Sequence, residues 1–499
     1  MRKLTTICLT LLLLITFTTP FNTQAEANSS VKEEIIYDIL IDRFNNGRQA
    51  PSEQVDINDP LTYNGGDIKG ITLMLNTIEE HGFTAISLSP IMANAPKGYH
   101  GYWIEDFYEI EEEFGSIEDL IELVQEAHNR EIKVYLELVT NYVANSSALV
   151  TDESKSDWFK EVEVEPMEAT EWLHEVKQFN HENEEVQQFL IDVANYWIEE
   201  TGIDGYILHA ADQASDTFLE KLTEEIKKRD PNFTIIANTL QGDALDHLCE
   251  MEHIDAIADT ALMNEIQQVF SQVDEPVSRL YEVTDQSACD KMLLYADNKN
   301  TPRFSYLFGK EVRNALTTWT LTLAYLYYSP GVPIIYQGSE VPMYGPSYPE
   351  NQLMVDPISA DPEMKKMFKR LASAREMFPP LVYGDFEQIA TDQGFSLFKR
   401  SYNDETVYIA INNDSESRVV ELEGIDENLQ LRGLFHDDTV RATEDGKFYV
   451  GLNRESAEIF IIEENTGINW GFIFSIVGVM IVFIIAVILL SRKQKKRQT

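Results

Sequence analysis

Basic residues are scarce in this chain: 39 lysines and arginines stand against 84 aspartates and glutamates, a formal net charge of −45 over 499 residues. A surface of that sign repels nucleic acid and anionic lipid and disfavours phosphorylated substrates at long range. Neutral ligands such as sugars remain compatible with it. Cysteine is scarcer still, at three residues. Cys8 falls in an amino-terminal leader, and Cys249 and Cys289 are too few to frame so large a body with disulfides. The two either pair or stay as thiols. Cysteine and histidine at metal-ligand spacing are missing, as are internal repeats and low-complexity tracts. A hydrophobic content of 44%, with 11% aromatic residues, excludes global disorder.

Long charge-free runs occur at the two ends. Arg2 and Lys3 precede an apolar stretch from Leu4 to Phe17, and Ala25-Glu26-Ala27 supplies a small-x-small cleavage site. This reads as a secretory signal peptide over 1–27. The run from Trp470 to Leu490 carries no charge and is followed by SRKQKKRQT at 491–499. Its length and basic flank predict a single-pass transmembrane helix with a cytoplasmic tail and an extracellular body at the cell membrane.

Between these ends, 499 residues exceed one ordinary core, so a large domain with smaller companions is expected. From Val31 onward, strand-like runs alternate with amphipathic helices. The runs are EIIYDILIDRF, FTAISLS, IKVYLELV, GYILHA, FTIIA, the weaker HIDAIAD, KMLLYAD and VPIIYQG. Eight strands, each followed by a helix, spell a (β/α)8 TIM barrel over 31–141 and 181–380. Residues 142–180 form a charged insertion after the third strand. From 381 to 464 the rhythm changes to short alternating runs such as FSLFKRSY, TVYIAINN and SAEIFIIEE, which predict an antiparallel β-sandwich. The fourth strand sits in TGIDGYILHAADQ, where the residue emerging at the strand end is His209. In a barrel enzyme that is where a catalytic group belongs.

These segments carry a resemblance to glycoside hydrolase family 13, the α-amylase family, from about Val31 to Glu464. The likeness lies in IYDILIDRFNNG, YNGGDIKGI, KGYHGYWIEDFYEIEEEFGS, VYLELVTNY, FNHENEEVQQFL, GIDGYILHA, ADNKNTPRF and GVPIIYQGSE. It implies a catalytic barrel, a small domain after strand three, a C-terminal β-sandwich, and a role in carbohydrate metabolism. Family members cleave or transfer α-glucosidic bonds with retention, which needs an ionised carboxylate about 5 Å from a protonated one. Matched motif to motif, the nucleophile position is His209, the acid/base position Asn238 and the third carboxylate position Asn300. The resemblance therefore implies a pseudoenzyme with no intact catalytic residue. The supporting positions differ too. Ile207 replaces the orienting arginine, Glu137 the aspartate opening the strand-three motif, Tyr142 its closing histidine, Lys299 the histidine beside the third carboxylate, and Asp212 and Gln213 a lysine-histidine pair. Losing such a set together removes roughly six orders of magnitude of rate.

Some of the implied site stands. His100, Tyr102, Trp103 and Asn298 match residues that line or stack on the sugar beside the scissile bond, and Arg303 also remains. Asn141 matches a calcium ligand, so calcium is the cofactor the resemblance implies. Arg48 and Pro51, however, stand where related enzymes carry Asp or Asn. The implied partners are an α-glucan or another sugar, or a membrane protein, as for the non-hydrolytic amylase-like heavy chains of amino-acid transporters; nucleic acid is excluded. The main expectation is thus a tethered, catalytically inactive carbohydrate-binding or protein-partner module. The alternative is an active α-glucan hydrolase or transferase using other carboxylates, among Glu137, Asp204, Asp212 and Asp297. His209 as a base or metal ligand ranks last, for want of a carboxylate to orient it.

Overall fold

A computed structural model describes residues 30–48, 54–162, 168–240, 245–286, 289–465 and 470–498. They divide into two compact units, one reaching to 272 and resuming over 279–383, the other comprising 273–278 and the chain from 384.

The first unit is a closed barrel of eight parallel strands. In chain order they are β1 (Ile36–Ile39), β2 (Ala85–Leu88), β3 (Lys133–Val139), β4 (Gly205–His209), β5 (Thr234–Ala237), β6 (Ala256–Ala258), β7 (Met292–Leu294) and β8 (Val332–Tyr336). Each predicted strand has its counterpart, and the weakest prediction corresponds to the three-residue β6. The strands are almost wholly buried because helices cover the barrel outside while side chains fill it inside. Ile36, Ala85, Tyr135, Ile207, Ile236, Ala256, Leu293 and Ile334 belong to one interior cluster.

Local chemistry sets the lengths of the surrounding helices. Asp67 caps helix Ile68–His81 through the Gly70 N–H, and Gly82 ends it at φ 88°, where a side chain is disfavoured. Ser116 and Asp119 form a capping box on Ile117–His128. Before β4, helix Glu184–Thr201 buries Val186, Leu190, Val193 and Trp197 on one stripe and stops at Gly202, φ 69°. After β3, the strands Tyr142–Ala144, Val176–Phe179 and Phe159–Lys160 make a small antiparallel sheet. Cys249 and Cys289, left open by the sequence, are joined by a disulfide.

The second unit has a six-stranded antiparallel sheet and a two-stranded one over a shared core of Phe395, Leu397, Tyr408, Leu431, Val450 and Phe460. Buried Glu458 organises one end of it. Its carboxylate accepts the backbone N–H groups of Leu434, Phe435, His436 and Ile459 at 2.7–2.9 Å.

The expectation of a membrane location is overturned: among the described residues no helix is long and apolar enough to cross a membrane. The carboxy-terminal helix runs Trp470–Gln498. The membrane as a partner through this helix falls with it. The leader at 1–27 lies outside the described residues.

Candidate functional site

Period-two alternation sends Asp38, Ser87, Glu137, Ile207 and Tyr336 from five strands into the barrel mouth, where Asn238 joins them from the residue directly after β5. Register places Glu137 opposite Ile207, and Val139 opposite His209. The chain leaves β4 through Ala210, held at φ 51°, ψ 45°, a conformation unusual for a residue with a Cβ. Two asparagines hold it there. The Asn141 amide donates to the carbonyls of His209 and Ala210 at 3.1 and 2.8 Å, and the Asn238 carbonyl accepts the Ala211 N–H at 2.8 Å.

Glu137 is the centre of the site. Its Oε1 accepts from His209 Nδ1 at 2.7 Å and from the Tyr102 hydroxyl at 3.0 Å, while Oε2 pairs with Lys299 Nζ. All these side chains are buried. Burial alone would raise the Glu137 pKa, but Lys299 and His209 outweigh it and hold the carboxyl down at about 2. Burial likewise opposes the charge on Lys299, and Glu137 overrides that, lifting the ammonium well above its ordinary value. The expectation that His209 has no carboxylate to orient it is corrected: β3 supplies one. The same contacts occupy both oxygens of Glu137.

Burial raises Asp38 and Asp297 above the ordinary carboxyl range, opposed by Lys299 and Arg303 respectively. Asp38 accepts from Ser87 Oγ at 3.0 Å, and Asp297 from the Phe304 N–H at 2.7 Å. Asn238, Asn298, Asn300 and Lys299 complete the lining of a cavity of about 40 Å³, which has room for little more than water.

Above Glu137 lies an aromatic cluster. Tyr102 is 4.4 Å from His209 and 4.6 Å from Trp172 between ring centroids, and His100 stacks on Tyr102 at 5.3 Å. His100 accepts the Tyr102 N–H on Nδ1, and burial first of all pushes its pKa down to about 3. Trp103 donates its indole N–H to the Trp172 carbonyl at 2.9 Å. Asn298 shapes its own loop by accepting the Asn300 N–H, and Arg303 is spent on the carbonyls of Asn351 and Gln337.

Of the other carboxylates named from sequence, Asp204 lies at the opposite end of the barrel, on the Val134 N–H and His128. Asp212 caps the Leu240 N–H at 2.7 Å. The structure thus gathers Glu137, His209, Lys299, His100 and Tyr102 and leaves Asp204 apart. Sequence reasoning missed Asp38, Trp172 and the joining of Glu137 to Lys299. The last had a signal, since both positions depart from the family pattern and their charges are complementary.

Asn141 Oδ1 is buried without a partner, as an oxygen ligand for a hard cation would be. The rest of a calcium set does not follow, because such a cation needs six or more oxygen ligands and the two nearby carbonyls receive the Asn141 amide N–H groups. Arg48 adds positive charge in its loop, donating to the Glu112 carbonyl at 2.8 Å; Pro51 lies outside the described residues. Among the described residues, the one group of three metal-type side chains is His436, Asp438 and Glu458, in the second unit.

The chain matches the family "Alpha amylase, catalytic domain" over residues 38–270 and "Alpha-amylase C-terminal domain" over 384–460. It is similar to a crystal structure of an Anoxybacillus α-amylase, at 37% identity and a TM-score of 0.82, covering 88% of this chain and 100% of that one. An α-amylase from Geobacillus thermoleovorans, solved with acarbose, aligns at 37% identity over the same shares with a TM-score of 0.81. A cyclomaltodextrinase of Thermoanaerobacter pseudethanolicus is 26% identical over 441 residues, 80% of this chain and 74% of that protein. A family match in both units and 37% identity to an enzyme covered end to end lead to one conclusion: this chain belongs to the α-amylase family, glycoside hydrolase family 13.

Proposed function

We propose that this protein is a sugar-directed member of the α-amylase family whose barrel does not cleave glycosidic bonds. The observation that carries the reading is the state of Glu137. It is an ionised carboxylate facing His209, and its two oxygens are taken by Lys299, His209 and Tyr102. A retaining mechanism needs a free carboxylate to attack the anomeric carbon and a protonated one to release the leaving group. His209, Asn238 and Asn300 stand at the positions where the family resemblance expects those groups. Asparagine has no proton to give at neutral pH, and histidine brings no negative charge to an oxocarbenium-like transition state. The role that remains is binding, of a neutral sugar on the platform of His100, Tyr102, Trp103 and Asn298 or of a protein partner.

A second reading, an active α-glucan hydrolase or transferase with a non-standard site, is favoured by the names of the relatives, which are amylases and a cyclomaltodextrinase. One geometric observation supports it as well. Glu137, held ionised, and Asp38 and Asp297, held towards the protonated form, line the same cavity, and carboxyls driven apart in pKa are the raw material of acid-base catalysis.

Reducing-sugar release from maltotetraose and from a cyclomaltodextrin separates the two. The first reading expects none from the purified protein. Turnover that Glu137→Gln or Asp38→Asn abolishes would establish the second and end the first.

A further inference from the structure

Trp172 is delivered to the barrel mouth by the segment Glu168–Glu175, which runs into the strand Val176–Phe179. That strand pairs with Tyr142–Ala144, the direct continuation of the chain beyond β3. The indole is 6% exposed. It stacks on Tyr102 at 4.6 Å and 30°, with Tyr142 edge-on at 5.4 Å, His209 at 5.5 Å and His100 at 6.3 Å.

A tryptophan serving only as core normally finds an acceptor for its N–H. Trp103, Trp158, Trp197 and Trp319 each do so. Trp172 does not: its Nε1 is buried without a partner, and so are the Nε2 atoms of His100 and His209 in the same ring cluster. Two unsatisfied imidazole nitrogens beside one stacking face, His100 Nε2 and His209 Nε2, describe a site for a hydroxyl-bearing ring with an apolar face, currently filled by an indole whose own N–H finds no acceptor there.

We infer that Trp172 is an internal occupant of the ring-stacking face of Tyr102, and that the face takes a neutral pyranose when the indole is withdrawn. This rests on the sugar-directed reading above. The charge pattern favours a neutral ligand, because Lys299 is already paired with Glu137. A pyranose offers an apolar face to Tyr102 and hydroxyls to the imidazoles. His100 Nε2, which carries the ring proton because Nδ1 accepts from the Tyr102 N–H, is a donor to such a hydroxyl.

The test uses the full chain and two probes, maltotriose and free indole, with calorimetry for affinity and thermal unfolding for occupancy. Trp172→Gly should lower Tm, indole should restore part of the loss in the variant but not shift the wild type, and maltotriose should bind the variant at least tenfold more tightly. Trp172→Phe, which keeps a ring on Tyr102, should behave as the wild type. Should Trp172→Gly not fold, Trp172→Leu, which keeps apolar volume without a flat ring, carries the same two readouts. The inference is overturned if the folded variant neither gains maltotriose affinity nor responds to indole. It is equally overturned if the wild type binds maltotriose and the variant binds it more weakly, since Trp172 would then be a platform. Reducing-sugar release, measured separately, sinks the non-hydrolysing reading without touching the occupancy of Tyr102.

Discussion

His209 Nδ1 lies 2.7 Å from Glu137 Oε1, joining the end of β4 to the middle of β3 inside the barrel mouth. A carboxylate only accepts, so the proton sits on Nδ1 and His209 turns Nε2 toward the aromatic cluster. Lys299 holds the other carboxylate oxygen from beyond β7. Three residues from three barrel positions thus form one buried charge network where the family resemblance expects a reacting centre.

Cutting that network should cost stability. Replacing Lys299 by Met leaves Glu137 buried with one partner fewer. Removing one member of a buried pair typically costs about 3–5 kcal/mol. Urea unfolding at pH 7 measures the loss; a change within about 0.5 kcal/mol would mean that the pair is not formed.

The same pair sets a pH signature. Glu137 has its pKa depressed from 4.5 to about 2 on folding. Its contribution is therefore complete above pH 4.5 and disappears as pH falls toward 2, with a size on the order of 3 kcal/mol. Asp38 and Asp297 are shifted upward and act in the opposite sense, so the wild-type profile mixes the three. The stability difference between wild type and Glu137→Gln isolates Glu137. It should be flat above about pH 5 and shrink below.

Restoring carboxylates by His209→Asp, Asn238→Glu and Asn300→Asp should not by itself create a hydrolase. An aspartate at 209 would face Glu137 in place of a hydrogen-bond donor, and like charges at that separation oppose joint ionisation. Ile207 supplies no orienting cation, and Trp172 still covers Tyr102. The triple variant should melt below the wild type and release no reducing sugar from maltotetraose; turnover in this variant would contradict the account of the covered site.

The bond between Cys249 and Cys289 closes a loop with a sequence separation of 40. Chain-entropy arguments value such a constraint at about 4 kcal/mol. Unfolding in urea with and without reductant should reveal a loss of that order, reproduced by Cys249→Ser.

Asp204, a carboxylate of the sequence motif, should prove structural. Asp204→Asn weakens its contacts with the Val134 N–H and His128 at 2.8 and 2.9 Å. The cost is about 1–2 kcal/mol, with sugar binding unchanged because the residue lies at the far end of the barrel.

The barrel was legible because alternation and amphipathic helices are local patterns. GYILHA, FTIIA and VPIIYQG each read as a buried strand in isolation. The residue types His209, Asn238 and Asn300 at the ends of their strands were legible too, because they follow from the motifs alone. Glu137 with Lys299 was only half legible: each looked like a separate departure, since they stand 162 positions apart in the chain. Trp172 gave no signal, because a tryptophan in a charged insertion reads as a small local core.

The sequence by itself determined the family, the order of strands and which residue types stand at the strand ends, because all three are carried by residue identity and short-range spacing. Only the tertiary structure decided that His209 has a carboxylate partner, that both Glu137 oxygens are occupied and that an indole lies on Tyr102. Closure of the barrel and the return of the inserted segment bring together side chains that no local pattern relates, and in that buried setting the pairing of Glu137 with Lys299 and His209, rather than intrinsic acidity, fixes the charge of each group.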